Sequence, residues 1–195
     1  MRKDLVKTGG ISSSFLSCEK DIEKILKKLF IESQPHSDVL KRLLVINMPD
    51  CLDEENPLYR EIVQKASLSK LRQEGYIKLS PKIRLPEHEE VKAYIIITFD
   101  DFMSNNTNDF YRDRNISFDI ICHTDYWEMD NYQIRPLKIA GYIDGLINNT
   151  KLAGIGTVNF LTCKELVLDE NLSGYSLIYR TIHSSDDVLP EEDEG

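Results

Sequence analysis

An alternation of apolar and polar side chains with a period of two residues constrains this chain more than any other feature of its sequence. It runs through residues 91–99, 115–123 and 175–183, where β-branched and aromatic residues are frequent. Such alternation is typical of strands that bury one face. Residues 157–168 and 175–183 together predict a closing hairpin. The stretch 91–183 therefore predicts two strands, a helix and two further strands.

The helix between the two strand pairs is predicted to begin near Pro136, because proline suits the first turn of a helix. Its apolar face consists of residues spaced by three and four positions: Ile139, Ala140, Ile143, Leu146 and Ile147. Gly141 and Gly145 lie on one face, and each costs the helix about 1 kcal/mol relative to alanine. Two interpretations stay open for this glycine pair: tight packing on the domain's own sheet, or contact with another subunit.

A second amphipathic helix is predicted near the N-terminus, over residues 18–33. Ser17 offers a helix cap, and acidic residues in the first turn suit the helix dipole. The predicted buried face has five members: Ile22, Ile25, Leu26, Leu29 and Phe30.

Residues 36–90 follow no single period. Residues 39–46 fit either a short helix or a buried strand, and residues 58–73 fit a helix. The sequence therefore predicts an α+β fold. It has a mostly antiparallel four-stranded sheet (β-β-α-β-β), an N-terminal and a central helix packed on it, and a helical or irregular insertion at residues 36–90.

The length of 195 residues favours one domain with appendages. We expect a flexible N-terminal arm at residues 1–16, a single α+β domain at residues 17–183, and an acidic disordered tail at residues 184–195. Within the domain, residues 36–90 are a possible insertion or subdomain. The tail contains six acidic residues and no basic residue, so it carries most of the net charge of −9 of the chain. It is either a solvated terminus or an arm that orders on a basic neighbour. This charge disfavours classical duplex DNA binding.

The composition also limits which cellular compartment and which cofactors fit this chain. The four cysteines are far apart and form no Cys-x-x-Cys pair, which disfavours a zinc site or a redox dithiol. The sequence contains no apolar run near the roughly 18 residues of a membrane span, and its N-terminus lacks the core of a signal peptide. We therefore expect a protein of the reducing cytoplasm that has no membrane partner and needs no cofactor.

One group of residues has the chemistry of a divalent metal site. Asp119, His123 and Asp125 lie close together in sequence, and Asp100 is expected across the hairpin from them. Such a group could support phosphodiester cleavage. A polar outer sheet face with a turn aspartate is the favoured interpretation, because no Glu-x-Lys motif or second carboxylate-rich strand completes a nuclease site. The run Glu87-His88-Glu89-Glu90 cannot direct all its side chains at one ion, so it is interpreted as a solvated charge run.

Other catalytic motifs are missing from the sequence. Gly154-Ile155-Gly156 lies between a helix and a strand, whereas a dinucleotide fingerprint needs a strand, a loop and then a helix. It is interpreted as the turn that leaves the helix. No serine or cysteine stands in a nucleophile-elbow context. We therefore assign no catalytic, cofactor-binding or metal residue and expect a protein that is not an enzyme.

The order of elements resembles that of a known family. An amphipathic helix precedes two strands, a helix opened by Ile134-Arg135-Pro136-Leu137, and a hairpin ending in Leu177-Ile178-Tyr179-Arg180. This is similar to the tail-terminator and tail-completion proteins of tailed bacteriophages, also called tail-to-head joining or neck proteins. The resemblance covers Ser17–Phe30 and Val91–His183. Residues 36–90 are longer than in that family, and the acidic tail is extra.

The resemblance implies a homo-oligomeric ring, usually sixfold, that terminates the tail tube and meets the head connector. It implies a virion protein assembled in the host cytoplasm, with the tube, sheath and connector proteins as neighbours and with DNA passing through the lumen without specific binding. The family has no catalytic residue to carry over.

The ring interface has a physical candidate in the sequence. A cyclic ring needs an interface between two different patches, which the strand edges of the 91–123 or 157–183 hairpin could form. A long polar loop predicted at residues 100–114 could project either into the lumen or onto the adjacent ring; in the lumen, its acidic residues would repel DNA and let it slide. The alternatives are a metal-dependent nuclease that uses Asp100, Asp119 and His123, and a cytoplasmic module whose acidic tail binds a basic partner.

Overall fold

The computed structural model describes residues 11–80, 92–104, 111–152 and 156–184. Helix α1 spans Ile11–Lys27 and continues into a π-helical segment, Lys28–Glu32. The apolar face predicted for this helix is confirmed, because Ile25, Leu26, Leu29 and Phe30 are all buried. Its predicted start near Ser17 is wrong. Serine has only a modestly lower helix propensity than alanine, so the serine-rich segment before Ser17 extends the helix rather than capping it.

Three further helices precede the sheet: α2 (His36–Val45), α3 (Pro57–Lys65) and α4 (Leu68–Gln73). The open choice between helix and strand at residues 39–46 is thus decided for helix. The single helix predicted over residues 58–73 is two helices. Ser67 separates them, because its hydroxyl accepts a hydrogen bond from the backbone N–H of Lys70 at 3.2 Å and so caps α4.

The main sheet has the strand order β1-β2-β3-β8-β7-β6. Its strands are β1 (Ile77–Lys78), β2 (Ala93–Ser104), β3 (Tyr111–His123), β6 (Lys151–Leu152), β7 (Gly156–Val167) and β8 (Leu172–Ser184). Two short strands, β4 (Glu128–Met129) and β5 (Gln133–Ile134), form a separate ribbon before helix α5 (Arg135–Ile147).

The α+β class is confirmed, but the predicted four-stranded antiparallel sheet is wrong in its details. The four long strands correspond to the predicted ones and pair antiparallel. The short strands β1 and β6 add to the edges, and β1 runs parallel to β2, which makes a mixed six-stranded sheet. Strands of two residues are too short for a two-residue period to reveal them.

The long polar loop predicted at residues 100–114 is also wrong. β2 continues to Ser104 and β3 already begins at Tyr111, so most of this segment is paired strand. A bulge between Asp100 and Met103 shifts the register, and Asp101 has a φ of 49°. Polar residues on both strands, together with the bulge, concealed the alternation. The prediction of a loop that projects acidic residues into a lumen therefore fails for four of its residues, which lie within strands β2 and β3: Asp100, Asp101, Asp113 and Arg114.

One hydrophobic core joins the helices to the inner face of the sheet. Residues from the irregular region belong to this core together with the long strands: Leu40, Leu43, Leu44, Ile46, Tyr59, Val63, Leu71 and Ile77. The outer face carries a smaller buried cluster of Tyr94, Ile96, Ile121 and Leu172. Residues 36–80 thus pack as part of one core with the sheet, while the exact domain boundaries stay a prediction.

Two buried arginines tie the layers together. Arg114, on the inner face of β3, forms an ion pair with Asp21 of α1, and its guanidinium lies 4.9 Å from the centre of the Phe99 ring. Both charged side chains are almost fully buried. This pair fixes the N-terminal helix against the sheet, because either charge alone would be costly in the core.

Arg135, at the start of α5, is also fully buried, and its guanidinium donates hydrogen bonds to four backbone carbonyls. Its Nε donates to Tyr126 at 2.9 Å, and its Nη1 donates to Leu43 at 2.9 Å and Ile46 at 3.0 Å. Its Nη2 donates to Met48 at 2.8 Å. The guanidinium therefore satisfies carbonyls at the C-terminal end of α2, where a positive charge is also favoured by the helix dipole.

Candidate interaction surface

Strand β7 exposes apolar side chains along much of its length. Phe160 is 42% exposed, Leu161 is 48% exposed and Val167 is 70% exposed. Lys164 and Glu165 between them are also exposed. A strand whose two faces are both largely exposed gains little from its own core. β7 is therefore a candidate surface for association.

In the described part of the chain, the outer edge of β7 is paired only at its beginning. Val158 exchanges backbone hydrogen bonds with the turn after α5, donating to Thr150 at 3.1 Å and accepting from Asn149 at 2.7 Å. The N–H of Phe160 donates to the side chain of Asn148 at 3.1 Å. Beyond Phe160, no other strand among the described residues pairs with this edge. An open edge of this kind is a template for an additional strand.

A bulge marks the point where the edge becomes free. The register with β8 shifts between Phe160 and Thr162, which leaves Leu161 as the extra residue. The shift changes which peptide groups point outward. After the bulge, the alternation directs the N–H and C=O groups of Cys163, Glu165 and Val167 away from β8.

A shallow groove of about 200 Å³ lies between β7 and α5. It is lined by Ala140, Gly141, Asp144, Phe160, Cys163 and Leu177. Asp144 is engaged at its wall, because Tyr179 donates a hydrogen bond to it at 2.9 Å. The groove therefore continues the exposed surface of β7 onto the helix layer.

Gly141 and Gly145 of α5 are exposed, and a Cβ added at either position would meet no atom within 4 Å. The interpretation that they pack tightly on the domain's own sheet is therefore wrong. The strand glycine Gly174 shows the contrast, since a Cβ there would lie 1.8 Å from the carbonyl oxygen of Ile120. The interpretation of the helix glycines as a subunit contact stays a prediction.

Polar side chains form a row across the outer face of the sheet. The Ser117 hydroxyl donates to Asp100 at 2.7 Å, and the Ser176 hydroxyl donates to Asp119 at 2.5 Å. Burial raises the pKa of the Asp119 carboxyl, the hydrogen bond from Ser176 opposes this effect, and the Asp100 carboxylate raises the pKa further. The alternative of a polar outer sheet face is thus the arrangement that these residues adopt.

Of the candidate metal ligands, His123 and Asp125 lie together, with Nδ1 3.5 Å from Oδ2, whereas Asp119 and Asp100 are engaged by serine hydroxyls on the sheet face. His123 is buried at the end of β3, and its Nδ1 accepts a hydrogen bond from the backbone N–H of Asp125 at 3.3 Å. Within the described ranges, no group of three or more histidine, cysteine, aspartate or glutamate side chains is arranged to hold a metal ion. Residues 87–90 and Gly154 lie outside the described residues, and Gly156 begins β7 with a φ of 81°.

Sequence reasoning missed the most exposed part of the surface. Residues 157–168 were predicted as one strand of a hairpin, without a distinction between its paired side and its free edge. A signal was present, because Phe160-Leu161 and Leu166-Val167-Leu168 place apolar residues on both faces of the strand. Such a pattern contradicts a strand with one solvated face.

These features define an α+β protein with an open sheet edge and an adjoining groove. No helix in the described part of the chain is long and apolar enough to cross a membrane. Comparison with protein families gives a match to the family model described as YomW, over residues 37–181. The chain therefore belongs to the YomW family. The family name is a phage-derived gene name of the SPbeta type, so this is a phage-related protein. A search of curated proteins found no match to the chain.

Proposed function

We propose that this chain is a structural virion protein of a tailed bacteriophage, located in the neck or tail. In this proposal, copies form a ring that terminates the tail tube and joins it to the head connector. The observation that carries the proposal is the edge of β7 beyond Phe160, which no described strand covers, together with the exposed apolar side chains of Phe160, Leu161 and Val167. Membership of a phage-related family supports the same assignment.

The physical argument concerns what such an edge costs an isolated protein. Proteins that remain monomeric usually shorten, charge or cover their edge strands, because a long exposed edge recruits other strands. Here β7 has 12 residues, and among the described residues only its beginning is paired on the outer side. Its charged pair, Lys164 and Glu165, is flanked by exposed apolar side chains on either side along the strand. A ring removes this edge by pairing it with a neighbour, and cyclic symmetry repeats the same contact around the axis.

The proposal is tested by two measurements on the full-length protein. Light scattering should give the mass of a closed ring, either for the protein alone or after addition of tube or connector proteins. Antibody labelling of purified phage particles should locate the protein between head and tail. A protein that stays monomeric with all these partners, and that is also missing from purified particles, would contradict the proposal.

A further inference from the structure

The sheet has two long strands near its edges, and their directions matter for assembly. The four long strands alternate in direction in the order β2, β3, β8, β7, so β2 and β7 run in opposite directions. On the outer side of β2, β1 pairs with Ile95 and Ile96, and no described strand pairs with Phe99 or Asp100 on that side. If the strands run roughly along the ring axis and the sheets of neighbouring copies meet edge to edge, β2 of the next copy lies antiparallel to β7 of the first.

We propose that β7 of one copy pairs antiparallel with β2 of the next copy, with Lys164 placed opposite Asp100 of that copy. This inference rests on the proposed function, and it specifies the partner and the register of the ring contact. It commits the free edge of β7 to a second copy of this chain.

The two side chains lie on matching faces. Lys164 pairs with Ser176 and Ser176 pairs with Asp119, which places Lys164 on the outer face of the sheet. Asp100 lies on the same face, because it accepts the hydrogen bond from Ser117. Side chains directly opposite each other in an antiparallel pair point to the same face. The proposed register satisfies this condition.

The backbone hydrogen-bond pattern agrees with the same register. The N–H of Ile95 points outward from β2 and donates to Tyr76 at 2.9 Å, so Ile97 and Phe99 also direct their peptide groups outward. Glu165 directs its peptide group outward from β7. If Glu165 lies opposite Phe99 of the next copy, these two residues form a backbone hydrogen-bonded pair. Lys164 then lies opposite Asp100 in the adjacent pair, which has no backbone hydrogen bonds. In such pairs the side chains approach most closely.

Charge also favours this pairing over a two-fold pairing of β7 with itself. Lys164 is exposed, and it makes no hydrogen bond or ion pair among the described residues. Asp100 is exposed and has the opposite charge. A two-fold axis perpendicular to the sheet keeps each side chain on its own face. In a β7–β7 pair, Lys164 of one copy therefore cannot contact Glu165 of the other copy, because Lys164 lies on the outer face of the sheet and Glu165 on the inner face.

Disulfide trapping tests the register directly in the full chain. In a Cys163→Ser background, which removes the exposed native thiol, Lys164→Cys and Asp100→Cys are introduced together and the protein is oxidised. Thiols opposite each other in a pair without backbone hydrogen bonds are close enough to form a disulfide. We expect a ladder of cross-linked species that ends at the ring size. Each single variant alone should give no ladder.

The possible outcomes separate the inference from the proposed function. A ring that assembles without cross-linking would overturn the register but leave the proposed function intact. Cross-linked dimers from Lys164→Cys alone would show β7 paired with itself and would also overturn the inference. A chain that stays monomeric with its partners would contradict both.

Charge reversal gives a second measurement that does not depend on oxidation. Lys164→Glu removes no intramolecular contact among the described residues, so the fold should persist. We expect it to weaken association by roughly tenfold, because a like charge then faces Asp100 of the neighbour. Adding Asp100→Lys should restore association. If Lys164→Glu leaves association unchanged, the proposed ion pair does not exist.

Discussion

Arg135 is fully buried in the core although its side chain carries a permanent charge. It is tolerated there because the guanidinium presents its donors in a fixed planar fork, and four carbonyl groups accept from it. Lysine carries the same charge but is a compact group that cannot reach all four carbonyls.

We therefore expect Arg135→Lys to lower the free energy of unfolding by about 3 kcal/mol, because buried carbonyls lose their donors. Urea unfolding followed by circular dichroism measures this change. The matched control is Arg72→Lys on the exposed side of α4, which should change the stability by less than about 0.5 kcal/mol. Equal effects of the two substitutions would contradict this role of Arg135.

Asp119 links stability to pH. Its pKa is raised in the folded state, mainly by burial, so the folded protein holds this proton more tightly than the unfolded chain. Stability should therefore fall as the pH rises from the ordinary value of 3.8 through the raised value. Asp119→Asn should be more stable than the wild type at neutral pH, by less than about 1 kcal/mol because the group is partly screened by solvent.

Urea midpoints measured between acid and neutral pH test this expectation. The difference between the wild type and Asp119→Asn should shrink towards acid pH, and Glu170→Gln at an exposed turn serves as the control. A difference that is constant with pH would show that the Asp119 proton has no part in the stability.

At the scale of elements, the glycines of α5 and β8 differ in what surrounds them. Gly141→Ala should stabilise the monomer by about 0.5–1 kcal/mol, because alanine favours the helix and the added methyl meets no neighbour. Gly174→Ala should destabilise the protein severely, since the methyl would overlap the Ile120 carbonyl. Thermal unfolding of both variants measures the contrast. A stable Gly174→Ala variant would be inconsistent with the close pairing of β3 and β8.

The sequence predicted the elements whose period is unbroken. Helix α5 and strand β8 were predicted close to their observed bounds, because their apolar residues repeat at fixed spacing. The continuation of β2 to Ser104 was missed, because the bulge at Asp100 interrupts the alternation there. The roles of Arg114 and Arg135 were not predictable, since their partners lie about 90 residues away in the chain.

The whole molecule combines a continuous core with one strand that contributes little to it. Substitutions on the free edge should therefore separate association from folding. We expect Leu161→Lys to abolish ring formation while changing the free energy of unfolding by less than about 0.5 kcal/mol, because Leu161 is the exposed bulge residue.

Light scattering and urea unfolding of the same preparation test this separation. The control is Leu58→Lys. Leu58 is 58% exposed and belongs to helix α3 rather than to the sheet edge. It should leave both the mass and the stability unchanged. Loss of the ring in the control as well would show that surface charge, rather than the edge, governs assembly.

The carbonyl bonds of Arg135 also dictate an order of events during protein synthesis. The acceptors at Leu43, Ile46 and Met48 leave the ribosome early, whereas their donor follows Met48 by 87 residues. Until the nascent chain extends past residue 135, the end of α2 has no cation to satisfy it. A ribosome stalled before that point should therefore hold a polypeptide that proteases digest readily.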